Sequence, residues 1–186
     1  MNLPTQLTLA RIAAIPVFVA VFYLPFSWAH PVTAAIFGLA ALTDWLDGYL
    51  ARRLDQTSRF GAFLDPVADK LMIVVALILL VELDATPVLA MPVAVIIGRE
   101  IAVSALREWM AEIGESSTVA VSMTGKVKTT AQIIALLFLL YHEPLFGVPI
   151  SIIGTVLLYV AAGLTLWSGA TYLKAAWPSL HDDQTV

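Results

Sequence analysis

Six apolar runs, at 9–29, 32–50, 61–81, 88–109, 124–141 and 148–173, occupy most of the 186 residues. Each is close to the roughly 20 residues a helix needs to cross the hydrocarbon layer. In lipid every backbone polar group needs an internal partner, so only helices or closed barrels span it. The runs therefore predict an all-α polytopic membrane protein with six transmembrane helices in one domain, 1–186. Only 13% of residues are charged, against about a quarter in soluble domains. His30-Pro31, the stretch 82–87 and the stretch 142–149 break the runs and contain no Lys or Arg. The opposite side carries Arg11, Arg52, Arg53, Arg59, Arg107, Lys126, Lys128 and Lys174. The positive-inside rule then predicts that both termini and the 53–60 and 110–123 loops face the cytoplasm. Residues 1–8 read as a short interfacial element before the first span. Ser27-Trp28-Ala29 loosely resembles a signal-peptide cleavage site, but the run before it is long, Pro16 and Pro25 interrupt it, and more apolar runs follow. Trp28, Trp109, Trp167 and Trp177 fall near span ends, as interfacial anchors do. With no cysteine, disulfides and thiolate zinc sites are excluded. A net charge of −4 leaves no footprint for nucleic acid.

Within these runs stand charges that lipid should exclude: Asp44 and Asp47, then Asp65, Asp69 and Lys70, then Arg99-Glu100. Each costs about 2.5–3.5 kcal/mol at the bilayer centre, so a functional site is the default reading. Residues three or four apart share a helix face, which pairs Asp44 with Asp47 and Asp65 with Asp69. A brief connection makes the two helices antiparallel neighbours, with all four carboxylates at one depth near the cytoplasmic end. Four crowded carboxylates cannot all stay ionised without counter-charge. Two divalent cations supply it, and oxygen-only ligation suits Mg²⁺ or Mn²⁺. Two such ions between carboxylates serve displacement at phosphorus. Gly48 and Gly61 flank the cluster; glycine there either relieves helix packing or admits a bulky polar ligand, and the neighbouring acids favour the second. Arg52 suits a phosphate and an interfacial anchor equally.

Residues 44–69 read DWLDGYLARRLDQTSRFGAFLDPVAD. This resembles the signature D-x2-D-G-x2-A-R-x8-G-x3-D-x3-D of the CDP-alcohol phosphotransferase family at Asp44, Asp47, Gly48, Ala51, Arg52, Gly61, Asp65 and Asp69. The resemblance implies a six-helix membrane enzyme, usually a homodimer, that passes a phosphatidyl group from a CDP-linked lipid to an alcohol and releases CMP. It also implies that Asp44, Asp47 and Asp65 hold two divalent cations, that Asp69 joins them and acts as base, and that Gly48, Ala51, Arg52 and Gly61 line the CDP-lipid site. Three further stretches resemble the phosphatidylglycerophosphate synthase branch. They are Asn2-Leu3-Pro4 to Pro16, with Thr5 where asparagine is expected; Arg99-Glu100-Ile101 to Arg107-Glu108; and Gly125-Lys126-Val127-Lys128-Thr129 with Gln132.

That branch implies CDP-diacylglycerol as donor and sn-glycerol 3-phosphate as acceptor, at the cytoplasmic face of a bacterial inner membrane. An anionic acceptor needs cationic partners, and Arg99, Arg107, Lys126 and Lys128 are the candidates. Two other readings stay open: anchoring for Lys126 and Lys128, and an ion pair with Glu100 or a motif aspartate for Arg99. Lys70 offsets carboxylate charge, and His30, His142 and His181 lie outside the catalytic set. The rivals are another acceptor (serine, inositol phosphate or phosphatidylglycerol) and, from a different class, a cation transporter. A transporter favours a midplane site between inverted repeats, and neither feature is visible here.

Overall fold

A computed structural model describes residues 3–54, 59–114 and 123–182, and among them the chain is helical with no strand. Six helices follow in order: α1 Leu3–Phe22, α2 Ala29–Leu54, α3 Arg59–Leu83, α4 Pro87–Glu112, α5 Met123–Tyr141 and α6 Ile150–Asp182. Each apolar run of the sequence carries one helix. The stretches Thr5–Phe22, Pro87–Glu112 and Ile150–Trp177 are long and apolar enough to cross a membrane, and Val127–Tyr141 is a shorter apolar helix. The chain is an all-α membrane protein. In α3 the apolar stretch is shared with Asp65, Asp69, Lys70 and Glu82, charges that an ordinary span lacks.

Local chemistry sets the element ends. Pro25 lacks an N–H and restricts Leu24, so α1 stops at Phe22 and the end of the run expected at 9–29 becomes an exposed connection with Tyr23, Phe26 and Trp28 on its surface. The segment expected as a separate interfacial piece is, from Leu3 onward, the opening of α1 itself. Thr86 caps α4 in an extended conformation with Pro87 at its first position. The same helix ends at Gly114, whose φ of 79° suits a residue without Cβ. Between α5 and α6, Leu145 and Val148 exchange both backbone hydrogen bonds, and Phe146 and Gly147 turn the chain with φ of 52° and 78°. Two consecutive positive φ values mark a type I′ turn.

The helices form one bundle in which α6 packs along α5 and α4, α1 along α2 and α3, and α2 along α5. Phe18, Phe37, Leu77, Leu80, Ile96, Leu136, Leu140 and Leu158 fill the interior. Leu39, Phe63, Met91, Ile101 and Trp167 face outward, as lipid permits. With no apolar-to-water gain between helices in lipid, close packing and polar contacts must hold the bundle. Near the end where α1 and α3 begin and α2 ends, those polar contacts concentrate.

Candidate active site

Asp44 on α2 and Asp69 on α3 share one cation, the guanidinium of Arg11 on α1. Arg11 Nη1 lies 3.0 Å from Asp44 Oδ1 and also donates to Asp69 Oδ1. One turn earlier on the same face of α1, Thr8 Oγ1 donates to Asp65 Oδ1 at 2.6 Å. Thr8 and Arg11 are buried. Thus α1 presents a hydroxyl and a guanidinium to three of the four expected acids. A cavity of about 90 Å³ opens between Arg11, Asp44, Asp69, Met72 and Thr129. A larger one, about 320 Å³, lies between α3, α4 and α5, lined by Asp65, Asp69, Lys70, Glu100, Lys128 and Gln132 among others. Asp69 borders both.

Asp47, Gly48, Ala51 and Arg52 continue α2, and Lys126 lies in the first turn of α5, but their side chains fall outside the described residues. Gly61 is buried in the first turn of α3. Among the described residues the acids do not close into a three-ligand ion cage; Asp47, the fourth motif acid, is not part of that set.

Of the four residues expected to bind the acceptor phosphate, the three whose side chains are described separate. Lys128 is buried, lines the 320 Å³ cavity and forms an ion pair with Glu100. Arg99 instead turns toward α6. Its Nη2 donates to Ser168 Oγ at 2.9 Å, its Nη1 is 3.3 Å from Glu100 Oε1, and its guanidinium lies 5.4 Å from the Tyr172 ring centre. Arg107 donates to Tyr172 Oη at 2.8 Å and covers the same ring at 5.0 Å. Both arginines therefore stand on the α4–α6 side, where an apolar groove of about 910 Å³ passes Arg99. The reason is helical geometry: adjacent residues point about 100° apart, so when Glu100 faces α5, Arg99 must face α6. The ion pair with Glu100, one of the two alternatives for Arg99, is present. Lys70 donates to Ser104 on α4 rather than to a carboxylate of α3.

Four residues of this site have no role in it assigned from the sequence. Arg11 reads there as a helix-end cation, although it lies eight residues inside α1. A lone arginine within an apolar run, one turn from a threonine, is the signal that could find it. Glu100 stands beside Arg99 and reads as its companion, and Thr8 and Gln132 carry no charge.

The CDP-alcohol phosphatidyltransferase family model matches residues 1–167. Relatives named CDP-diacylglycerol--glycerol-3-phosphate 3-phosphatidyltransferase match nearly end to end. That of Salmonella typhimurium is 55% identical over 181 residues, 97% of this chain and 98% of that protein. That of Sodalis glossinidius is 58% identical over 182 residues, 98% of each. That of Pseudomonas fluorescens is 53% identical over 184 residues, 98% of this chain and 94% of that protein.

Proposed function

The chain belongs to the CDP-alcohol phosphatidyltransferase family, and on that premise we propose that it transfers a phosphatidyl group from CDP-diacylglycerol to sn-glycerol 3-phosphate, forming phosphatidylglycerophosphate and CMP. The relatives are named for this reaction. The observation that carries the reading is the array of Asp44, Asp65 and Asp69 around Arg11 and Thr8, beside a cavity that also holds Lys128. The chain works as one domain, a homodimer crossing a bacterial inner membrane six times, with both termini and the site on the cytoplasmic side. A lipid donor reaches such a site from the bilayer, and a charged acceptor reaches it from water.

Asp44, Asp47, Asp65 and Asp69 offer carboxylate oxygens only, a set suited to Mg²⁺ or Mn²⁺. They also outnumber the one guanidinium that pairs with them among the described residues, which leaves negative charge for two divalent cations to balance. Bound there, the ions would polarise the pyrophosphate oxygens and offset charge on departing CMP. Gly48, Ala51, Arg52 and Gly61 accommodate the CDP head. Asp69 takes the proton of the acceptor's primary hydroxyl. That oxygen forms the new bond to the phosphorus bearing the diacylglycerol, and the bond from that phosphorus to the CMP oxygen breaks, CMP leaving with the electron pair. Lys128, with Lys126 at the same end of α5, holds the acceptor phosphate. Arg99 and Arg107, packed on Tyr172, act from behind through Glu100 and through their field. Thr8 fixes the orientation of Asp65.

Purified protein given CDP-diacylglycerol with glycerol 3-phosphate, serine, inositol phosphate or phosphatidylglycerol in turn should release CMP only with the first, and the lipid product should have the mass of phosphatidylglycerophosphate. CMP release with a different acceptor alone would overturn the assignment.

A further inference from the structure

On the wall of the cavity between α3, α4 and α5, one buried amide N–H has no partner among the described residues. Gln132 is 2% exposed and lines this cavity, and its Nε2 has no hydrogen-bond partner among the described residues. Buried N–H groups are paired in the great majority of cases. An orphan on the wall of a polar cavity therefore marks where an accepting atom of a ligand belongs. Its surroundings narrow the choice. Lys128, paired with Glu100, stands one turn before it on α5, and Asp69 borders the same space from α3. Of the other residues lining the cavity, Ile73, Val74, Leu77, Ile96 and Ile97 offer no side-chain acceptor.

We propose that Gln132 reads the secondary hydroxyl of the acceptor, its Nε2–H donating to that oxygen. The proposal rests on glycerol 3-phosphate being the acceptor. In that molecule the secondary hydroxyl sits between the phosphate-bearing carbon and the primary hydroxyl. With the phosphate at Lys128 and the primary hydroxyl at Asp69, the middle hydroxyl belongs in the same cavity, where the uncharged donors are Thr129 and Gln132, and the Gln132 Nε2–H is the one left without a partner among the described residues. A site built to bond a substrate hydroxyl discriminates strongly against an analogue lacking it, because the buried donor is then left unpaired. Gln132 is thus a specificity-determining residue that admits a glycerol backbone and disfavours a simple hydroxyalkyl phosphate.

The test compares sn-glycerol 3-phosphate with 3-hydroxypropyl phosphate, which lacks only the secondary hydroxyl, by CMP release from CDP-diacylglycerol in mixed micelles. The wild-type protein should favour glycerol 3-phosphate by about 10- to 100-fold in kcat/KM, the range one buried hydrogen bond supplies. In Gln132→Leu the preference should fall to within about threefold. Melting of both proteins in detergent without acceptor provides a second readout: Gln132→Leu removes a buried N–H that has no partner among the described residues and should melt no lower than wild type. A wild-type protein indifferent to the missing hydroxyl, or a Gln132→Leu variant that keeps the wild-type ratio, would overturn the inference while leaving the transfer reaction standing. A variant that melts lower and loses both acceptors equally would show Gln132 to be structural, and would overturn the inference in the same way. Absence of CMP release from wild type with either acceptor would overturn the transfer reading and this inference with it.

Discussion

Arg11 is enclosed, its side chain 3% exposed, while its partners Asp44 and Asp69 remain 46% and 38% exposed. A ligand therefore meets the acids from their open side, with the guanidinium behind them. Arg11→Met should destabilise the protein by about 1–3 kcal/mol, below the roughly 3–5 of a fully buried pair because the acids are partly solvated; thermal melting in detergent reads it, and Arg11→Lys should recover part. Asp69→Asn should lower turnover at least about 100-fold while retaining donor binding, and near-normal turnover would remove Asp69 as the base. Lys128→Ala should raise the KM for glycerol 3-phosphate more than Arg99→Ala does, since only Lys128 borders the cavity beside Asp69. The reverse order would return Arg99 to the pocket. The acids are legible in the sequence because carboxylates inside apolar runs, spaced three and four residues apart, are too costly to keep without a use. Which way Arg99 points is not, because azimuth about α4 depends on where α5 and α6 pack.

At the scale of elements, the seam between α5 and α6 depends on one close approach. A Cβ on Gly154 would stand 2.9 Å from Leu139 Cγ, 3.1 Å from Phe138 Cβ and 3.2 Å from the carbonyl oxygen of Ala135, whereas Gly163 has nothing within 4 Å. Gly154→Ala should therefore lower the melting temperature, and Gly163→Ala should leave it unchanged or raise it by the equivalent of about 0.5–1 kcal/mol, the helix preference of Ala over Gly. Both glycines look alike in a sequence scan for small residues; only the position of the neighbouring helix separates them. Helix number is legible from the apolar runs, while the ends move where proline chemistry outweighs hydropathy, as at Pro25. The positive φ of Phe146, a residue 97% exposed at a tight turn, has no signal beyond the glycine that follows it.

For the whole molecule, sidedness is open to direct test because the chain has no cysteine of its own. Asp84→Cys and Glu143→Cys should react with an impermeant thiol reagent from outside intact cells, whereas a cysteine placed at 115–120 should react only after permeabilisation; labelling of all three from one side would contradict six crossings. In the connections away from the acids, His30 and His142 approach with ring centres 5.5 Å apart. Burial, then the facing His142, hold the His30 pKa below its ordinary value, with Glu143 pulling weakly the other way. Unfolding lets His30 take up a proton more readily, so its contribution to stability is present above about pH 6.5 and lost as pH falls below it. Between pH 7 and pH 5 the wild-type melting temperature should therefore fall relative to that of His30→Gln. Arg11 also bears on how the chain is made. The first helix emerges from the ribosome carrying a cation whose partners Asp44 and Asp69, 33 and 58 residues later, have not yet been synthesised. Until α2 and α3 arrive, that arginine has no countercharge within lipid, so α1 must linger at the translocon or the headgroup layer and settle only when the hairpin bearing Asp44 and Asp69 joins it. Membrane insertion of this protein should then be a concerted event of its first three helices, timed by the contacts of the candidate site.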